Sequence, residues 1–179
     1  MDKLNLKIRA AEIKDTELIL ALIQQKAEFD GYLDPLEATA DKLRQTLFYD
    51  VPPQAHVLLA EVEEIAVGFA LYSYRYSSFL AQRCIWLDDL FVQSHMRSKG
   101  VGQALIYYLA QIAAQNNCGR IEWTVNTNNA PAISFYKKQG AQIMESIRLC
   151  RIDRGEISRL AGKELATMTL FILCPVDYP

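Results

Sequence analysis

Ile85-Trp86-Leu87-Asp88-Asp89-Leu90-Phe91-Val92, followed shortly by Arg97-Ser98-Lys99-Gly100-Val101-Gly102, reads as an apolar strand and a glycine-containing turn, with a helix over residues 103–115. Such a turn leaves backbone N–H groups without intrahelical partners and points the helix dipole at them, which makes an anion cradle. The residue choice narrows the anion. A dinucleotide loop, Gly-x-Gly-x-x-Gly, needs a third small residue where Leu105 stands. A triphosphate loop needs Gly-Lys-Ser/Thr, whereas Gln103 and Ala104 follow Gly102. What remains is Arg-x-x-Gly-x-Gly.

Downstream, Cys118-Gly119 signals a helix stop, and residues 120–127 read as a strand with Ile121, Trp123 and Val125 on one face. Asn126-Thr127-Asn128-Asn129 then leads to Ala130-Pro131 and a helix carrying Ile133, Phe135 and Tyr136, ended by Gly140. Asn129 and Tyr136 stand close to two turns apart and project to one side. Upstream, residues 4–9 alternate like a strand, and Asp15 caps a helix with Leu18, Ile19, Leu22 and Ile23 on its apolar face. A helix over residues 39–49 buries Leu43 and Leu47 and is closed by Pro52-Pro53. Strands at 55–61 and 66–76 flank an acidic hairpin turn. Beyond Gly140, strands are expected at 142–146 and 149–152, then a short helix at 156–160. The pattern predicts an α/β fold: a mixed sheet with helices on both faces.

These motifs resemble the GNAT acyl-CoA N-acyltransferase superfamily, and within it the spermidine/spermine (diamine) N-acetyltransferase branch. The resemblance rests on Val67-Gly68-Phe69-Ala70-Leu71-Tyr72, on Leu87 to Val92, on Arg97 to Gly102, on Ser134-Phe135-Tyr136-Lys137-Lys138-Gln139-Gly140-Ala141 and on Arg148-Leu149-Cys150-Arg151-Ile152-Asp153. It implies a mostly antiparallel sheet in which two central parallel strands, 85–92 and 120–127, splay apart to admit acetyl-CoA. One domain would span 1–161, with 162–179 an apolar extension of unknown role. The resemblance puts the cofactor's amides along Leu90, Phe91 and Val92 and its pyrophosphate on Ser98, Lys99, Gly100, Val101, Gly102 and Gln103, with Arg97 adding charge. Asn129, Tyr136 and Lys138 would complete the cofactor contacts.

The implied reaction is direct transfer of an acetyl group to the primary amine of a small cationic acceptor: a polyamine, a diamine or a lysine-like amino acid. An alkylammonium has a pKa of roughly 10.4 and needs a proton acceptor, for which Asp88 stands ready, and Tyr136 would donate a proton to the departing thiolate. Neighbours on a strand face opposite sides, so Asp88 and Asp89 share a face only across a bulge. Phe29, Asp30, Asp88, Asp89 and Trp123 form the expected acceptor site, with Asp34 and Glu37 adding acid nearby. The chain departs from the branch in three places. Asp88 replaces the usual Glu, Tyr76-Ser77-Ser78-Phe79-Leu80 lacks the branch's acid, and Ile147 stands for a tryptophan. A protein or peptide N-acetyltransferase and a non-catalytic acetyl-CoA sensor remain alternatives.

Composition agrees with an enzyme domain. Lys+Arg 19 against Asp+Glu 21 gives a net charge of -2 and no basic field for nucleic acid. No stretch reaches the ~20 apolar residues of a membrane span, and a cytoplasmic location is expected. Cys84, Cys118, Cys150 and Cys174 lack metal-ligand spacing and are expected to be buried thiols, with no metal site. A homodimer is implied by the resemblance alone.

Overall fold

Alternating apolar residues build four strands in the first half of the chain, and a fifth from the second half completes a sheet in the order β1-β2-β3-β4-β5. The computed structural model describes residues 4–32 and 36–162. Strands β1 (Leu6–Ala10), β2 (His56–Val62), β3 (Ile65–Ser77) and β4 (Gln82–Val92) pair antiparallel, and β5 (Ile121–Glu122) joins β4 in parallel. Helix α1 (Thr16–Phe29) and the run formed by α2 (Ala40–Arg44) and a π turn (Gln45–Tyr49) follow β1. Helix α3 (Val101–Gln115) connects β4 to β5, and α4 (Ala130–Lys138) follows β5.

Each sheet face buries its own apolar row. On one, Leu58, Ala60, Ile85 and Leu87 pack with Leu105 and Leu109 of α3, while on the other Leu59, Phe69 and Phe91 pack with Ile19 and Leu22 of α1 and with Leu47. Helices therefore cover both faces, as the alternation predicts. The acidic turn between β2 and β3 is made by Glu63 and Glu64, both at positive φ, the geometry of a two-residue hairpin loop.

Several expectations are corrected. Asp15 does not cap α1 with its side chain; its carboxylate accepts the N–H of Glu12 and pairs with Arg9, so it closes the preceding turn instead. Helix α3 ends at Gln115 as expected, but it is Asn117, not Gly119, that takes the left-handed conformation after it. Strand β5 is two residues long where 120–127 was expected, and 123–127 carry no strand.

The chain divides into units Met1–Gln139 and Gly140–Pro179. In the second, residues 141–153 contain no strand, so neither 142–146 nor 149–152 forms one; alternation supplies a two-sided ribbon, but a strand exists only against a partner edge. The short helix is present as α5 (Arg154–Ala161). Cys84 is buried as expected, but Cys118 is half-buried and Cys150 exposed, since Cys150 lies in the strandless segment. Asp34, Cys174 and the extension from 163 onward lie outside the described residues.

Candidate active site

The site begins with a change of register in β4. Leu71 of β3 lies opposite Asp89 while the next residue, Tyr72, lies opposite Leu87, which leaves Asp88 as an extra residue in β4. Such a bulge turns two successive side chains to one side. Leu87 and Leu90, three apart, accordingly share the α3 face, whereas Phe91 belongs to the α1 face. Asp88 and Asp89 both lie on the α1 side. Asp88 accepts a hydrogen bond from Ser73 Oγ at 3.3 Å, and Asp89 pairs with Lys26 of α1 at 3.0 Å.

Lys26 also holds Asp30, at 2.5 Å. Its ammonium thus bridges two of the three acids expected to meet an acceptor. Burial opposes its charge, but Asp30 and Asp89 outweigh burial and raise its pKa above the ordinary lysine value. Asp88 has no cationic partner among the described residues, and burial raises its carboxyl above the usual aspartate range against the bond from Ser73. Lys26 was not singled out by its sequence position; only the fold brings an α1 side chain onto β4.

Tyr136, on α4, is buried against Trp123 with ring centroids 4.9 Å apart. Burial raises its hydroxyl pKa above the ordinary tyrosine value, with smaller opposed effects from Lys26 and Asp30. Trp123 packs with the α3-side core and against Tyr136. Asn129 caps α4, its Oδ1 accepting the N–H of Ala132 at 3.1 Å, and Lys138 is exposed in the last turn of that helix.

The cradle has the form expected of an anion site. Gly100 precedes α3 at φ 86 and no side chain caps the helix, so the first amides of Val101, Gly102 and Gln103 stay unused by the chain. A Cβ on Gly102 would lie 3.5 Å from Phe135 and 3.8 Å from Val92, so the helix start packs closely on these two side chains and leaves no room for a larger residue without displacing them. Ser98 is left-handed in the same turn, and Lys99 is exposed. Arg97 is less free than expected: its Nε donates to Val92 O at 2.9 Å and its guanidinium lies 3.9 Å from the Phe29 ring centroid, which also accounts for Phe29. Strand β4 pairs with β5 only at Ile85 and Trp86, so Leu90, Phe91 and Val92 have β3 on one side and an open edge on the other. An open strand edge running to an uncapped helix start accommodates an amide-bearing chain that ends in a diphosphate.

Residues 20–141 match the model of the acetyltransferase (GNAT) family. The chain belongs to that family. This GNAT chain is 30% identical to the L-ornithine N5-acetyltransferase NATA1 of Arabidopsis thaliana, over 82% of its own length and 83% of that protein's. It is likewise 30% identical to the thialysine N-epsilon-acetyltransferase of Bos taurus, with 87% of this chain and 97% of the relative covered. It is 32% identical to the human spermidine/spermine N(1)-acetyltransferase-like protein 1, covering 88% of itself but 24% of that longer protein. Among solved structures, an integron cassette protein from the mobile metagenome of V. cholerae matches with a TM-score of 0.73 at 26% identity, over 90% of this chain and all of the other. The chain is thus a GNAT-type acetyltransferase, a family that uses acetyl-CoA as its acetyl donor, and its mixed sheet with a parallel β4–β5 pair is the GNAT fold.

Proposed function

We propose that this enzyme acetylates the primary amine of a small cationic acceptor, with Asp88 receiving the amine's proton and Tyr136 supplying one to the leaving sulfur. The observation that carries the reading is the bulge at Asp88, which turns two carboxylates to one face beside the open edge of β4. Relatives named for ornithine, thialysine and spermidine/spermine support a small amine.

Bound acetyl-CoA supplies a thioester carbonyl as the electrophile. The amides of Val101, Gly102 and Gln103 hold the diphosphate, and Arg97, Ser98, Lys99, Asn129 and Lys138 line its approach. The edge of β4 at Leu90, Phe91 and Val92 orients the acetyl arm and offers N–H groups where the carbonyl oxygen gains charge. Asp88, raised by burial, is a better proton acceptor near neutral pH than an ordinary aspartate. Tyr136, raised by burial, stays protonated at neutral pH and is ready to donate. Asp30 and Asp89, with Phe29, form the wall facing the acceptor. Trp123 acts indirectly, by fixing the ring of Tyr136.

No helix among the described residues is long and apolar enough to cross a membrane. We infer further a single catalytic domain through 161, a cytoplasmic setting and a homodimer, the last open to analytical ultracentrifugation. The deciding experiment follows thiol release from acetyl-CoA with polyamines, diamines, diamino acids and lysine-bearing peptides as acceptors. Release with a small amine supports the reading. Release with peptides alone, or with none of these, overturns it.

A further inference from the structure

The sheet face that carries Asp88 and Asp89 also carries charge of the opposite sign. Along β3, Ser73 and Arg75 continue the row of Phe69 and Leu71; along β4, Trp86 stands two residues before Asp88. Arg75 lies over the Trp86 ring, 4.5 Å from its centroid, and pairs with Glu122 of β5. Arg120 pairs with the same carboxylate at 2.9 Å. Two arginines share one glutamate, which leaves one positive charge uncompensated. At the other end Lys26 bridges Asp30 and Asp89, while Asp88 accepts from Ser73, so three acids face one ammonium and two negative charges remain.

The strip is therefore a dipole. Across the bulge, Trp86 to Asp89 matches the two-residue step from Ser73 to Leu71, about 7 Å at the rise of a strand, a span comparable to an extended lysine side chain. Both arginines keep substantial exposure, 41% and 43% of their side chains, and a guanidinium bonded to one carboxylate retains N–H groups for a second. Lys26 works in the same direction: by occupying Asp30 and Asp89 it lowers the negative charge available to a long polycation.

We propose that Arg75, seconded by Arg120, is a specificity-determining residue that binds the carboxylate of an α,ω-diamino acid whose terminal ammonium lies against Asp88. The inference rests on the amine-acetylating reading above and narrows its acceptor. A polyamine has no group for the arginine end and would bring cations to it.

The test compares L-lysine and L-ornithine with 1,5-diaminopentane and 1,4-diaminobutane, which differ from them by the carboxylate alone. The wild-type enzyme is expected to favour each amino acid over its diamine in kcat/KM. Arg75→Met is expected to raise KM for the amino acids about tenfold, with a smaller change in kcat, so that selectivity collapses. Glu122→Gln, which frees both arginines, is expected to lower KM for the amino acids. Arg75→Lys restores part of the selectivity if charge matters and none if Arg75 only supports β5. Calorimetric titration of lysine and diaminopentane into the coenzyme A-loaded protein reads the same preference without turnover. Absence of thiol release with every amine would therefore end the acetylation reading and still leave Arg75 tested. Equal preference for amino acid and diamine in the wild type, or KM shifts of equal size for both in Arg75→Met, overturns the assignment.

Discussion

Asp88 and Tyr136 are shifted in the same direction by the same cause, burial, with opposite chemical use. A raised carboxyl is a stronger base when ionised, and a raised phenol is a more persistent donor. Tyr136→Phe removes the proton and little volume, so kcat is expected to fall about 10²-fold or more while the affinity for acetyl-CoA is kept, read from thiol-release kinetics beside a coenzyme titration. An unchanged kcat would remove Tyr136 from the proton path. Asp88 must be ionised to accept a proton, so kcat/KM is expected to fall on the acid side as pH drops through its folded pKa, at a pH above the ordinary aspartate range. Asp88→Asn should abolish that limb and leave only the rise due to the amine's own ionisation; a pH–rate profile with the limb intact would contradict the role. In the sequence Asp88 stands out as an acid in an apolar strand, and Tyr136 is picked out by the family resemblance. The bulge stands in the sequence only as the condition for Asp88 and Asp89 to share a face, and the β3–β4 register supplies it. Lys26 is not legible there, because its meaning depends on Asp89, which is far away along the chain and close only in the fold.

Between elements, what matters is where pairing stops. The start of α3 has no side-chain cap, and β4 past Trp86 has no β5 partner, with only Val92 O taken up there by Arg97. A side chain at the cradle should therefore weaken cofactor binding more than it weakens the fold. Gly102→Leu is expected to push against Phe135 and Val92 and to raise the Kd for coenzyme A about tenfold or more by calorimetry. A Kd equal to the wild type's would exclude these amides from the diphosphate site. The glycine turn was readable because its constraint is local. The length of β5 and the absence of strands at 141–153 were not, because strand existence depends on an edge to pair with, and the same alternating pattern serves a paired or an unpaired segment.

Across the whole molecule, the layers are joined near the start of the chain by Arg9 of β1, which donates to Asp15 before α1 at 2.6 Å and to Glu61 of β2 at 2.7 Å. Asp15 is buried, and the bond from Arg9, outweighing burial and aided by the N–H of Glu12, lowers its pKa below the ordinary aspartate value. A carboxyl depressed in the folded state contributes stability that is fully present above its unfolded pKa, about 3.9, and is lost as pH falls through the folded value. Arg9→Met leaves two acids without their cation and is expected to cost about 2 kcal/mol at neutral pH, below the figure for a fully buried pair because Arg9 keeps 22% of its side chain exposed. The wild-type advantage should shrink as pH falls below the ordinary aspartate range and through the lowered folded pKa of Asp15, beyond which Asp15 is protonated with or without Arg9. Urea unfolding of both proteins at neutral pH and at acid pH measures that gap. A gap of constant size would mean that Arg9 acts through the packing of its methylenes and not through the charge of Asp15.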